Sequence, residues 1–162
     1  MRNNQKIRFA RQPSVLSSRS KEGFALIEIV VMIVILAIIG GIGLLLSMDQ
    51  YRSYVLNSDR NTLVSMMQKA RNKSMNNVNE APHGVSIRPT SFVLFRGSSY
   101  VSRNPALDET VPRSTALTIT GSAEVVFEQL TGSVTGLTGD ITISNGLNSH
   151  VISINSEGRL NW

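Results

Sequence analysis

Residues 21–48 read KEGFALIEIVVMIVILAIIGGIGLLLSM, an apolar run with a single acid set into it. From Ile29 to Leu46 eighteen consecutive residues carry no charge and no strongly polar side chain. With Phe24 to Ile27 added, the run is long enough to cross a hydrocarbon core of about 30 Å at 1.5 Å per residue. It reads as a transmembrane helix. A secretory signal peptide would have a shorter apolar core and then a small-x-small cleavage site. Here the run ends in Leu45-Leu46-Ser47-Met48-Asp49, with bulky residues where small ones are needed. Six basic residues, Arg2, Lys6, Arg8, Arg11, Arg19 and Lys21, stand ahead of it, whereas Arg52 and Arg60 beyond it lie close to Asp49 and Asp59. The positive-inside bias therefore places the N-terminus in the cytoplasm and the C-terminal part outside.

The acid is Glu28. A carboxylate inside an apolar span costs about 2.5–3.5 kcal/mol on insertion scales, so it needs a partner or a role. Taken alone, it also reads as a side chain snorkelling to the cytoplasmic headgroups. Its neighbours point further. Lys21-Glu22-Gly23-Phe24-Ala25-Leu26-Ile27-Glu28, with a basic leader before it and an apolar helix after it, resembles the class III signal of type IV prepilins and type II secretion pseudopilins. Ala25 replaces a frequent threonine, and Gly40, Gly41 and Gly43 stand where a proline is often found.

The resemblance implies that a membrane prepilin peptidase cuts on the cytoplasmic face after Gly23, and that Phe24 becomes the mature terminus and is N-methylated. It also implies that Glu28 places the subunit during filament assembly. The ammonium freed at Phe24 and the Glu28 carboxylate of another subunit are natural counter-charges. At about 4 Å and an effective dielectric near 20 their attraction is about 4 kcal/mol, comparable to the desolvation it must offset. Such a pair sets stagger between subunits more than it stabilises them. The three glycines each disfavour helix by roughly 1 kcal/mol relative to alanine, yet allow neighbouring helices to approach closely.

Net charge is +5, but the distribution matters more than the total. Ahead of Phe24 lie six of the basic residues and one acid, Glu22; the remaining ten basic and ten acidic residues balance. The basicity belongs to the leader, which argues against a head built to hold nucleic acid. Cysteine is absent, so disulfides, thiolate nucleophiles and Cys-ligated zinc are excluded. At 162 residues the chain holds one globular unit and an attachment.

Past the membrane segment, Tyr51, Val55, Leu63, Met67, Ala70 and Val78 recur at helical spacings, which predicts an amphipathic helix continuing the first as far as Asn79. Met66, Met67 and Met75 read as core filler. From Gly84 onward, β-branched runs separated by Gly, Asn, Ser and Pro predict strands at 85–87, 91–96, 116–120, 123–130, 140–144, 150–155 and 159–162. Ser99 to Pro112 reads as a surface loop. The Thr-Gly repeats at Thr131-Gly132, Thr135-Gly136 and Thr138-Gly139 read as turns. The expected fold is α+β: a long N-terminal helix, transmembrane in its first half and amphipathic in its second, packed on a C-terminal antiparallel β-sheet head of the pilin type. The divisions are a leader at 1–23, a membrane or filament-core helix at 24–48, an amphipathic helix at 49–80 and a head at 81–162.

The head also resembles the H-type minor pseudopilin and FimT-like branch, through Lys69-Ala70-Arg71-Asn72-Lys73-Ser74, Gly84-Val85 and the closing Ile152 to Leu160 segment. What the two resemblances imply is a non-enzymatic subunit, a minor pilin or pseudopilin, of a type IV pilus-like or type II secretion filament. It begins as a single-pass inner-membrane protein with its head in the periplasm or outside the cell. Its partners are the prepilin peptidase, other pilin or pseudopilin subunits, the inner-membrane assembly platform and the membrane itself. The alternative is a DNA-binding minor pilin for DNA uptake. FimT-like proteins use a Gly-Arg-x-Arg loop; Gly158-Arg159-Leu160-Asn161 keeps only the first arginine, which leaves Arg159 as the DNA contact and otherwise a hairpin turn residue.

No Walker, Gly-x-Ser-x-Gly or His-Glu-x-x-His motif is present. Asp108-Glu109 falls short of the six to eight oxygen ligands calcium takes. His83 and His150 read as ordinary sheet or surface histidines. No cofactor or metal is expected.

Overall fold

The computed structural model describes residues 21–134 and 139–162. The leader as far as Ser20 and the Thr-Gly segment at Thr135–Thr138 lie outside the described residues. Helix α1 spans Lys21–Met75. The chain forms two units, Met1–Leu45 and Leu46–Trp162.

In the first unit every side chain from Ala25 to Ile42 is exposed. Valine and isoleucine are mediocre helix formers in water, but a helix satisfies all of its own backbone polar groups, which suits an apolar surrounding. The helix runs unbroken through Gly40 and Gly41, where a Cβ would meet open space.

In the second unit α1 buries one stripe. Leu56, Leu63, Met66, Met67 and Ala70 are almost fully covered, and they join one core with Val85, Phe92, Leu94, Val125, Phe127, Ile141, Ile143, Ile152 and Ile154. Tyr51 and Val78, expected on that stripe, are exposed instead, and so is Met75. For Val78 the reason is where the helix stops. It ends at Met75, short of the expected Asn79, because Asn77 turns left-handed (φ 52°). Asparagine tolerates that conformation better than most residues. Val78 therefore falls in a short 3-10 turn, Val78–Glu80, rather than on the helix.

Eight strands follow among the described residues: β1 His83–Ile87, β2 Ser91–Arg96, β3 Glu109–Pro112, β4 Thr118–Thr120, β5 Glu124–Phe127, β6 Asp140–Ser144, β7 Ser149–Ile154 and β8 Leu160–Asn161. They form two four-stranded antiparallel sheets, β3-β2-β1-β5 and β4-β6-β7-β8. The chain alternates between them, so the single sheet expected from sequence is two. Strand β3 lies inside the segment expected to be loop. Its polar-flanked, proline-ended sequence is tolerated because it sits at a sheet edge.

Two expected strands are shorter than their apolar runs. Ahead of β4, Arg113 donates to the Leu117 carbonyl at 2.6 Å and Asp59 accepts the Ser114 N–H at 2.8 Å, which holds the entry out of the sheet. After β5, Leu130 takes a left-handed conformation (φ 69°), and bonds between Glu128 and Ser133 and between Gly132 and Glu128 close a turn.

Both faces of β1–β2 are covered. Phe92 and Leu94 face the main core, while Val93 and Phe95 are buried on the other side. There Phe95 lies over Gly84, where any Cβ would collide with its ring, and meets Tyr100 edge-on at 5.8 Å. Arg103 stacks on Tyr100 at 3.5 Å and pairs with Asp108 at 2.7 Å, and Glu124 accepts the Tyr100 N–H. The loop is thus folded back over the sheet by one aromatic and one ion pair.

Candidate functional site

Gly23 and Phe24, the cleavage residues expected from sequence, lie in the first turns of α1, which begins at Lys21. Glu28 follows one turn later and is exposed. It is the only ionisable residue between Ala25 and Ile42, an eighteen-residue segment long and apolar enough to cross a membrane. Leu26, Ile27, Ile29, Val30 and Val31 surround it, each at least half exposed. A helix apolar on all sides is stable only inside a bilayer or a bundle of like helices.

Arg159 sits in the β7–β8 hairpin. Asn155 builds the turn: its side-chain oxygen accepts the Arg159 N–H at 2.7 Å, and its own N–H donates to the Arg159 carbonyl at 3.1 Å. Gly158 takes φ 71° and packs against the Gly132 carbonyl so closely that no side chain would fit. The Arg159 side chain is exposed and lines a shallow groove of about 430 Å³ with Gln68, Arg71, Asn72 and Trp162. Arg71, one turn before the helix end, donates to the Glu157 carbonyl at 3.1 Å and keeps its buried Nε without a partner. Sequence reasoning identified Arg159 but not the second cation beside it. Arg71 is 88 positions away in the chain, and nothing in the local pattern links the two.

The remaining cations of the head are largely committed. Arg113 donates to the carbonyls of Arg88, Ser114 and Leu117. Arg103 is tied to Asp108 and Tyr100, Arg88 lies over the Tyr100 ring at 5.0 Å, and Lys69 pairs with Glu109 at 2.6 Å. Asp108 and Glu109, adjacent in sequence, therefore answer different cations. The Lys69 hydrogen bond holds the Glu109 carboxyl below its usual range. Among the described residues no group of three His, Asp or Glu side chains stands close enough to hold a metal ion.

The histidines differ. His150 is half-buried on β7 opposite Ile143. His83 is buried at the start of β1, with Nδ1 unpartnered. Its pKa is lowered, first by burial and then by the nearby Lys73 and Arg96 charges, against a raising contribution from the Ala81 backbone. Its N–H donates to the Ser74 hydroxyl at 2.8 Å, and that hydroxyl donates to the Phe127 carbonyl at 2.9 Å. Ser74 is wholly buried, and it joins the last turn of α1 to both β1 and β5. No local pattern announces this role, since a serine near a helix end also reads as solvated.

No protein-family model, no curated protein and no solved structure matches the chain.

Proposed function

We propose that the chain is a prepilin-like structural subunit of a type IV pilus-like or type II secretion filament, of the minor pilin or pseudopilin kind. It enters the inner membrane as a single-pass protein with its leader in the cytoplasm and its head outside. The prepilin peptidase removes Met1 to Gly23, and Phe24 becomes the methylated terminus. The subunit then passes from the bilayer to the filament through its N-terminal helix. The observation that carries this reading is Glu28: one carboxylate at a fixed offset from Gly23-Phe24, on a helix whose apolar side chains are exposed from Ala25 to Ile42. In the bilayer that carboxylate is costly; beside a neighbouring subunit's terminal ammonium it is matched.

N-terminal sequencing and intact mass of the protein from peptidase-competent membranes will give Phe24 as the first residue, heavier by one methyl group. A start elsewhere removes the proposal's basis. Glu28→Ala will be cleaved and inserted normally, while its recovery in filaments falls at least tenfold. Undiminished incorporation would return Glu28 to a snorkelling side chain.

A second reading, DNA capture, is favoured by the groove that brings Arg71, Arg159 and Trp162 together. Two guanidiniums beside an indole suit a phosphate and a stacked base. Against it stand the balanced charge outside the leader and the commitment of Arg88, Arg103 and Arg113 within the head. Submicromolar binding at about 150 mM salt, stronger than the roughly 10⁻⁴ to 10⁻⁶ M of non-specific contact and lost in Arg159→Ala, would make DNA capture the function.

A further inference from the structure

Two leucines of the head stand out into solvent to the same extent, for Leu130 and Leu147 are each 65% exposed. Leu130 belongs to the turn after β5 and donates its N–H to the Ser74 carbonyl, near the C-terminal end of α1. Leu147 belongs to the turn between β6 and β7, which is fastened to the other end of the part of α1 that packs in the head. Asn145 does the fastening. Its side-chain oxygen accepts the N–H groups of Leu147 at 3.0 Å and Asn148 at 2.8 Å, while its side-chain nitrogen donates to the Arg52 carbonyl at 3.3 Å. Arg52 and Ser74 are 22 positions apart on α1, about 33 Å at 1.5 Å per residue.

A lone exposed leucine is ordinary on a protein surface, so exposure decides nothing by itself. Position does. The helix turn beside the Leu147 loop carries Tyr51 and Tyr54, 69% and 70% exposed, and Tyr51, Arg52, Val55 and Asn145 line one hollow of about 400 Å³. In the chain Tyr51 follows the apolar run that closes at Leu46 by five residues, which reach no more than about 18 Å even fully extended. With Ala25–Ile42 across a bilayer, this end of the head is tethered beside the headgroup layer, itself about 5–8 Å thick on each side.

The side chains at this end suit such a surface. Tyrosine is enriched at membrane–water interfaces, where its ring meets acyl chains and its hydroxyl meets headgroups. A leucine at the tip of a tight turn, where asparagine, serine or glycine is the usual choice, sets an apolar point outward. Arg52 is offset in charge by Asp49 three residues earlier, so an anionic partner finds no excess of cations here. A stable protein partner covers about 800 Å² on each side, more than one leucine and two tyrosines present. Lipid asks for less. A short tether holds the loop at about millimolar effective concentration, and a weak contact is then enough.

We propose that the end of the head that carries Arg52 docks on the lipid surface, with the Leu147 tip entering the headgroup layer and Tyr51 and Tyr54 flanking it at the interface. A head so docked turns its other end, with Ser74, Leu130 and the groove of Arg71 and Arg159, away from lipid. The proposal rests on Ala25–Ile42 being a membrane span, and it does not depend on filament assembly.

The sequence has no cysteine, so Leu147→Cys and Leu130→Cys each create one site for a nitroxide spin label. Both positions are exposed, and the labelled full chains are reconstituted into phosphatidylcholine vesicles and recovered by flotation. Collision of the label with oxygen, which concentrates in lipid, is compared with collision with a water-soluble nickel chelate. The Leu147 label favours oxygen, and the Leu130 label favours nickel. Replacing Tyr51 and Tyr54 together, by Tyr51→Ser and Tyr54→Ser, shifts the Leu147 label toward nickel, while adding phosphatidylglycerol to the vesicles leaves it in place. The proposal is overturned if the Leu147 label meets nickel as readily as the Leu130 label does, if both labels favour oxygen, or if the tyrosine substitutions change nothing. Line broadening at Leu147 that disappears on dilution with unlabelled chain would assign the tip to a second copy and overturn it equally. A chain that fails to float loses the membrane span and this proposal with it; one that floats with Leu147 in water loses the docking alone.

Discussion

Two stretches of the same helix meet opposite fates. Between Ala25 and Ile42 every side chain is exposed; between Leu56 and Ala70 the apolar ones are buried to a few per cent. Helix propensity, lower for the isoleucines and valines of the first than for the leucines and methionines of the second, does not decide it, since both stretches are helical. What separates them is the supply of partners. The second stretch carries apolar residues on one stripe, and its own two sheets cover that stripe. The first carries them on all sides, and each of them is exposed from Ala25 to Ile42. Full burial of a large apolar side chain is worth about 1.5–3 kcal/mol. The buried stripe of the head has gained that stabilisation, and the exposed N-terminal stretch has not.

The comparison is sharpest when one residue is truncated on each side. Met67 is wholly buried, so Met67→Ala will destabilise the head by about 2–5 kcal/mol. Ile33→Ala, on an uncovered surface, will leave head stability within about 0.5 kcal/mol of wild type. Urea titration of the full chain in detergent reads both, followed through Trp162, the one tryptophan of the sequence. Equal loss from the two variants would break the distinction between a stretch that is covered and one that is not.

Smaller effects come from the joint where helix and sheets meet. Ser74→Ala leaves the His83 N–H and the Phe127 carbonyl without their partner, both inside the protein. A buried group left unsatisfied costs about 1–3 kcal/mol, and that is the loss expected from the same titration. Ser74→Thr, which keeps the hydroxyl, will recover part of it. Full stability in Ser74→Ala would mean that the joint depends on packing alone.

His83 makes the same joint sensitive to acid. Its folded pKa lies below its ordinary value of 6.5, so the unfolded chain takes up the proton first. The stability linked to this group is therefore complete above about pH 6.5 and declines as pH falls below that toward the folded value. The slope cannot exceed about 1.4 kcal/mol per pH unit, because one proton is involved. His83→Leu will flatten the difference between stabilities measured at pH 7 and pH 5. A variant as acid-sensitive as wild type would assign the effect to other groups.

The sequence made the first stretch of α1 readable because its signal is local. The apolar run that sets its helix and its exposed surface lies within about twenty-five positions, and no other part of the chain is needed to read it. Strands β2 and β6 were legible at their full bounds, being alternating or β-branched runs between clear turns. The losses fall where distant segments decide the outcome. Whether Glu109 to Pro112 is strand depends on β2 being free at its edge, and the loop before it is ordered by Tyr100 beneath Arg103. Where α1 ends depends on Ser74 and the left-handed Asn77, because the apolar periodicity alone carries it on to Val78. The groove around Arg159 needs Arg71, 88 positions earlier in the chain. That second cation is created by the fold, so no motif search would have found it.

The smallest expected effect marks the lower limit of the comparison. Lys69 and Glu109 meet at 2.6 Å across the α1–β3 boundary, a short ion pair. Both side chains are nearly half exposed, however, so water and salt screen the pair, and its worth falls in the range of about 0–1 kcal/mol. Lys69→Met keeps the aliphatic stem and removes the charge; it will lower stability by less than about 1 kcal/mol at pH 7, and by less still in high salt. The sign with pH follows from Glu109, whose folded pKa is held below 4.5, chiefly by the Lys69 hydrogen bond. The pair contributes fully above about pH 4.5 and is lost as pH falls through the folded value, so wild type and Lys69→Met will converge in acid. A loss as large as that from Ser74→Ala would mean that geometry outweighs exposure. The expected order, with a buried methionine costing most, a buried hydroxyl less and a short surface ion pair least, follows how completely each contact is withdrawn from water and not how short it is.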